Sequence, residues 1–123
     1  MDIIIVYAPP ADRPDTEKDA FYEQLKKMIE DTPAKNTLII AGDLNAKAMK
    51  PKTDVEAKVI GKHAVYHPEC ETGMNPSTVN SRERLIRMCL ENGMKLMNTM
   101  FEKPIEQKTT YKPCTILCMT CID

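Results

Sequence analysis

The sequence has 123 residues, 42% hydrophobic and 28% charged, with a net charge of −1 at pH 7. This length predicts one domain with a buried core, and the near-neutral charge excludes binding of polyanions through a general positive field. The absence of tryptophan and an aromatic content of 5% also argue against a base-stacking platform. The first apolar run, residues 3–6, is too short for a signal peptide or a membrane span. We therefore expect an intracellular protein of the nucleus or cytoplasm, with no membrane partner.

The chain opens with a predicted strand and a predicted helix. Residues 2–7 are mostly β-branched and are followed by Pro9, a pattern typical of a buried strand. Thr16 and Asp19 predict a helix start as a cap and its partner three residues later. Apolar residues then recur at helical spacing, at Phe21, Leu25, Met28 and Ile29. Pro33 predicts the end of this helix.

A second apolar stretch, residues 37–41, predicts another buried strand immediately before the segment GDLN. A strand, a helix and a strand with short links most simply form a crossover unit, with two parallel strands and the helix on one face. Such units place ligands at the carboxyl ends of their strands. Tyr7 and Asp43 both lie at those ends, so the sequence predicts a site there.

The rest of the chain is less regular. Residues 46–79 contain several prolines and glycines, and a basic loop is predicted there after the GDLN segment by Lys47, Lys50, Lys52, Lys58 and Lys62. Asn80 predicts the start of a second helix, and Gly93 predicts its end. Residues 94–97 and residues 108–111 predict short strands. The expected fold class is therefore α/β.

The GDLN segment carries the residue types of a hydrolytic site. The Asp43 carboxylate is suited to taking a proton from water or to binding a divalent cation. The Asn45 amide donates hydrogen bonds without carrying charge, so it suits a phosphate oxygen. The alternative is an ordinary turn, since Asp and Asn both favour turns. Taken alone, these four residues are better explained by the turn.

The order of four segments along the chain changes this interpretation: VYAPP, LIIAGDLNA, NSRERLIRMCLENGMKLMNTMF and TTY. In this order they resemble the endonuclease/exonuclease/phosphatase (DNase I-like) superfamily. Within it they are similar to LINE-type retrotransposon endonuclease domains and craniofacial development protein 2-like sequences. The resemblance implies a four-layer α/β sandwich with mixed sheets, and metal-dependent hydrolysis of phosphodiesters, usually in DNA. It covers residues 1–112 as the central part of such a domain and leaves residues 113–123 as a divergent cysteine-rich tail.

The resemblance also implies roles for individual residues. Asp43 matches the aspartate that activates the attacking water, while Tyr7 and Asn45 match side chains that contact the scissile phosphate. The implied cofactor is Mg²⁺ or Mn²⁺, for which Asp43 is a candidate ligand. Substrate contacts are implied for Asn80, Arg82 and Thr110, and a place near the cleft for Thr99.

The sequence lacks several motifs of that superfamily. It has no counterpart of the upstream asparagine and metal-binding glutamate, nor of the downstream Ser-Asp-His segment. We therefore expect a truncated endonuclease-like domain that cleaves DNA very slowly or not at all, because such sites depend on preorganised charge. The alternative is a non-catalytic, transposon-derived remnant or interaction module. Half a sandwich leaves strands unpaired and a sheet face bare, so self-association is also expected.

The tail offers a further alternative. Cys114, Cys118 and Cys121 have the C-x3-C-x2-C spacing of radical-SAM iron–sulfur proteins, and three thiolates can hold three irons of a cubane cluster. Zinc is a variant of this hypothesis, with Cys70 or His67 as the fourth ligand. We adopt the divergent tail as the interpretation, because a cysteine spacing does not transfer between families without its context.

Overall fold

A computed structural model of the chain describes residues 1–64 and 75–102, together with the main chain of residues 116–121. Strands and helices alternate, and this mixture confirms the predicted α/β class. The elements are β1 (Asp2–Tyr7), α1 (Asp15–Asp31), β2 (Leu38–Asp43), a 3-10 helix (Glu56–Lys58), α2 (Pro76–Glu91), β3 (Met94–Leu96), a second 3-10 helix (Met97–Thr99) and β4 (Ile116–Cys121). None of the helices in these residues is long and apolar enough to cross a membrane.

The four strands form one mixed sheet in the order β1-β2-β4-β3. β1 and β2 are parallel, which confirms the crossover unit predicted from the sequence, and Ile4 lies beside Ile40. β4 is antiparallel to both of its neighbours, β2 and β3. Residues 116–121 of the cysteine-rich tail thus form an inner strand of the sheet.

Both helices pack on one face of this sheet. Ile4 and Ile40 belong to one buried cluster with residues of both helices, such as Leu25 of α1 and Leu85 of α2. Side chains alternate between the two faces of a strand, and Ile5 on the opposite face is 74% exposed. The core therefore lies between the helices and one face, while the β1 side chains on the other face are open.

The start of α1 differs from the prediction. The helix begins at Asp15, its N-cap is Pro14, and no side chain caps it. Proline has a backbone φ already suited to a helix start, so Pro14 directs the chain into the helix and Thr16 lies inside the first turn. The predicted end is confirmed, because Thr32 is already extended.

The start of α2 also differs from the prediction. The N-cap is Asn75, whose side chain accepts a hydrogen bond from the Thr78 N–H at 2.9 Å, and the helix begins at Pro76 rather than at Asn80. The predicted end is confirmed, since the helix stops at Glu91 and Gly93 has a φ of +62°. That left-handed conformation is the one glycine adopts without steric cost.

The shorter predictions have mixed outcomes. The strand predicted over residues 37–41 is present and extends to Asp43. The strand predicted over residues 94–97 ends at Leu96, because Met97 begins a 3-10 helix. The strand predicted over residues 108–111 lies outside the described residues.

Candidate functional site

The carboxyl ends of β1 and β2 bring Tyr7 and Asp43 together. They are register partners in the parallel pair, and register partners point to the same face of a sheet. The Ala8 N–H donates to the Asp43 carbonyl at 2.8 Å, which continues the pairing past the strand end. Tyr7 is 73% exposed, on the face that the helices leave open. The predicted meeting of these two residues is therefore present in the fold.

Gly42 makes this close pairing possible. Its φ is +134°, and a Cβ built at this position would lie 2.0 Å from the Val6 carbonyl oxygen. In the structure the group that approaches it is the chain's own β1 main chain. Gly42, the residue before Asp43, therefore allows β2 to lie close to β1.

Asn45 holds the site from the other side. Its Nδ2 donates to the Ala8 carbonyl oxygen at 2.6 Å, and its main-chain N–H donates to Asp43 Oδ1 at 2.9 Å. Its φ is +44°, a left-handed conformation that Asn tolerates better than most residues. Leu44 between them is buried in the core and anchors the segment. The segment of residues 42–45 is therefore both a turn and the candidate site, because the hydrogen bond that forms the turn orients the Asp43 carboxylate.

This geometry leaves part of the polar surface available. Asp43 Oδ1 is occupied by the Asn45 N–H, while Asp43 Oδ2 has no hydrogen-bond partner among the described residues. Asn45 has two side-chain N–H donors, and one of them is used by Ala8. The carboxyl ends of β1 and β2 therefore hold three polar groups: an oriented carboxylate, a remaining amide donor and an exposed phenol.

Arg82 has a role that its sequence context did not reveal. Its side chain is 3% exposed and makes four hydrogen bonds. Nε donates to the Ala48 carbonyl oxygen at 2.7 Å, Nη2 donates to the Lys50 carbonyl oxygen at 3.2 Å, and both Nη atoms donate to Glu56 at 2.8 Å. These partners lie in the loop that follows Asn45. Arg82 therefore clamps that loop to α2, and its substrate contact stays a prediction.

The Arg82 clamp also sets the charge of Glu56. The hydrogen bond from Arg82 is the main cause that lowers the pKa of Glu56 below its ordinary value, although partial burial opposes the shift. The Lys52 main-chain N–H adds a hydrogen bond to the same carboxylate at 2.7 Å. Glu56 is thus held ionised against the buried guanidinium.

Asn80 joins the two helices. Its Oδ1 accepts hydrogen bonds from Lys18 Nζ at 3.3 Å and from Arg84 Nε at 2.9 Å. Arg84 also forms ion pairs with Asp15 and Asp19 of α1. Buried Lys18 was missed from the sequence, although it lies seven residues before Leu25, on the apolar stripe of α1. The implied substrate contact from Asn80 stays a prediction beside this structural role.

The remaining candidates have structural roles or lie outside the described residues. Thr99 is buried, where its Oγ1 accepts from the Gly61 N–H at 2.7 Å and donates to the Leu96 carbonyl oxygen at 2.6 Å. Outside the described residues lie Thr110, Cys114, Cys70 and His67. Of Cys118 and Cys121 only the main chain is described, so the iron–sulfur and zinc hypotheses stay untested.

Two curated proteins are similar to this chain. Both are named craniofacial development protein 2, and they come from Bos taurus, at 30% identity over 111 residues, and from Tragulus javanicus, at 29% identity over 111 residues. Each alignment covers 90% of this chain but 17% of the relative, so the chain spans about a sixth of their length. No family model matches the chain, and no solved structure matches it either.

Proposed function

We propose that this chain contains the central part of a DNase I-like phosphodiester hydrolase site. The observation that carries the proposal is the placement of Tyr7 beside Asp43 at the carboxyl ends of β1 and β2, with Asn45 hydrogen-bonded to both strand ends. The similarity to craniofacial development protein 2 supports it, because the sequence resemblance groups such proteins with this superfamily. In the complete domain we propose a four-layer sandwich, to which the described mixed sheet contributes one layer.

In this proposal each residue has a separate task. The free Oδ2 of Asp43 orients a water molecule and takes its proton as the water attacks phosphorus. The P–O bond to the leaving group breaks as the new bond forms, and the leaving oxygen takes a proton from solvent. Tyr7 and the remaining Asn45 N–H donate to the phosphate oxygens, which stabilises the charge that develops there. The Asn45 main-chain N–H holds Oδ1 of Asp43, so the carboxylate loses no orientational freedom when the substrate arrives.

A metal has limited support among these residues. The described part of the chain has no group of three or more His, Cys, Asp or Glu side chains that would hold an ion. When bound, Mg²⁺ or Mn²⁺ supplies Lewis-acid stabilisation of a phosphoryl oxygen, and Asp43 is the one ligand that we propose for it. We therefore propose that the 123-residue chain binds a phosphodiester weakly and cleaves DNA very slowly or not at all.

The test uses NMR titration of the 123-residue chain with a thymidine dinucleotide, with and without Mg²⁺. We expect the amide signals of Tyr7 and of residues 43–45 to shift, and we expect Asp43→Asn to alter the response to Mg²⁺. Asp54→Asn is the matched control, since it removes a carboxylate in the loop after the site. Shifts that avoid these residues, or an Asp54→Asn variant that alters the response equally, would count against the proposed site.

A plasmid-nicking assay tests the activity separately. We expect no nicking above background by the pure chain with Mg²⁺ or Mn²⁺. Strong Mg²⁺-dependent nicking that Asp43→Ala abolishes would refute the proposed inactivity while supporting the role of Asp43. A chain that shows neither dinucleotide binding nor a change in stability with Mg²⁺ is the non-catalytic remnant, because a ligand that binds only the folded state raises stability.

A further inference from the structure

The outer edge of β1 has free main-chain hydrogen-bonding groups. The N–H groups of Asp2 and Ala8 donate to β2 and its flanks, at 2.9 Å to Thr37 and 2.8 Å to Asp43. In a strand, odd-numbered and even-numbered residues direct their N–H and C=O groups to opposite sides. The odd-numbered residues of β1 are Ile3, Ile5 and Tyr7, so they direct these groups away from β2. β1 is the first strand of the sheet, and no strand among the described residues pairs with this edge.

The same three residues expose apolar side chains. Ile3 is 56% exposed, Ile5 is 74% exposed and Tyr7 is 73% exposed. From Ile3 to Tyr7 the strand has no charged residue and no proline, and its pairing with β2 has no bulge. Charged residues, prolines and bulges are the features that keep edge strands from pairing with other chains. This edge is therefore open in both its main chain and its side chains.

A groove of about 210 Å³ runs beside this edge, between β1 and α1. Its strand side is residues 5–7, and its helix side includes Phe21, Leu25 and Met28. Met28 is 44% exposed, so the groove has an apolar wall open to solvent. A strand added beside β1 would place the side chains of its own helix-facing residues in this groove.

We propose that a second copy of this chain binds at this edge, with the two β1 strands antiparallel. A two-fold axis at Ile5 places Ile5 opposite Ile5 of the second copy, and Ile3 opposite Tyr7 of the second copy. This register makes all three outward-directed residues hydrogen-bonded pairs, with about six N–H···O bonds in total. The interface is self-complementary, as a two-fold dimer requires, and it joins two four-stranded sheets into one.

The second copy fits this edge better than a charged partner, because residues 3–7, which would form the pairing, carry no charge. Isoleucine–tyrosine and isoleucine–isoleucine pairs across antiparallel strands are favourable. The exposed parts of Ile3, Ile5, Tyr7 and Met28 offer about 500 Å² per copy at roughly 200 Å² for a large apolar side chain. The pair would thus bury at most about 1,000 Å², which is in the range of weak, transient interfaces. The dimer is therefore weak and reversible, with a Kd on the order of 10–100 μM.

The test is sedimentation equilibrium of the 123-residue chain from about 5 μM to about 500 μM, a range that brackets this Kd. We expect the apparent mass to rise from the monomer value of 13.9 kDa toward twice that value. Ile5→Pro should keep the protein monomeric, since the Ile5 N–H is not used by β2 and proline is tolerated on a free edge. Ile5→Lys should act in the same way, and it tests the edge even if the proline variant does not fold.

Val55→Lys is the matched control, because Val55 is an exposed apolar residue in the loop, at 53% exposure. We expect this variant to dimerise like the unaltered chain. Three results would overturn the proposal: an unaltered chain that stays monomeric over the whole range, folded Ile5 variants that still dimerise, or a Val55→Lys variant that loses the dimer equally. None of these results depends on the proposed hydrolytic chemistry.

Discussion

Replacing Arg82 with methionine should destabilise the fold strongly, although neither its position in the sequence nor its charge suggests a core residue. The side chain is 3% exposed, and Glu56, its partner, is 18% exposed. Methionine has a similar length and no donors, so the change removes the four hydrogen bonds and leaves most of the volume filled. The Ala48 carbonyl oxygen then loses the Arg82 Nε donor at 2.7 Å, and Glu56 loses its cation.

Breaking one side of a buried ion pair typically costs about 3–5 kcal/mol. Glu56 keeps some contact with solvent and also accepts a hydrogen bond from the Lys52 N–H, so the lower end, about 3 kcal/mol, applies here. A domain of this size has a free energy of unfolding of roughly 5–15 kcal/mol. The loss is therefore a large fraction of the total, and it acts on the loop that follows Asn45.

Urea unfolding followed by far-UV circular dichroism measures this loss. With a slope of about 1.5 kcal/mol/M, the midpoint should fall by about 2 M. Arg13→Met is the control, because the Arg13–Glu17 pair is exposed on both sides, and it should leave the midpoint unchanged. The combined Arg82→Met and Glu56→Leu variant should recover part of the loss, since no unpaired charge remains. If Arg82→Met moves the midpoint no more than Arg13→Met does, the clamp does not stabilise the fold.

Three further predictions concern single groups. The pKa of Glu56 is lowered in the folded state, so the stability that its charge contributes is complete above the ordinary pKa of 4.5 and is lost as the pH falls through the folded-state pKa. The difference in unfolding free energy between the unaltered chain and Glu56→Gln should therefore shrink in acid, and a difference that stays constant with pH would contradict this. Gly42→Ala should lower the free energy of unfolding by more than about 2 kcal/mol in thermal unfolding, because the new Cβ would lie 2.0 Å from the Val6 carbonyl oxygen. A Cβ at Gly93 meets nothing within 4 Å, so Gly93→Ala should cost only the left-handed backbone penalty of about 1 kcal/mol, and equal losses would show that the close approach is unimportant. Burial raises the pKa of the Cys89 thiol to about 12, so this thiol should react slowly with iodoacetamide near pH 8 in the folded chain. Peptide mapping should find Cys89 unmodified in the folded chain and modified in concentrated urea, and equal modification in both would refute its burial.

Several elements were predictable because their causes are local. The apolar, β-branched run of residues 2–7 has few alternatives to a buried strand, and it forms β1 over Asp2–Tyr7. Pro33 and Gly93 end their helices through backbone constraints that act on the adjacent residues. The parallel pairing of β1 and β2 followed from a crossover helix with short links.

The helix starts were not predictable in the same way, because several polar residues compete to cap a helix. Thr16 and Asn80 have suitable side chains, yet both lie inside their helices. Asn80 Oδ1 is used instead by Lys18, which lies 62 residues earlier in the chain. No local pattern around Asn80 contains that partner, so the sequence prediction placed the start of α2 too late.

Local sequence patterns were sufficient to predict the two parallel strands, the residue types at their ends and hence the candidate pair of Tyr7 and Asp43. Contacts between distant parts of the chain fix which of the other polar residues lie near that pair. Arg82, proposed as a substrate contact, is buried against the loop after Asn45, and residues 116–121 of the tail form an inner strand between β2 and β3. Both outcomes depend on contacts between residues far apart in the chain, and their energies depend on burial that only the assembled fold creates.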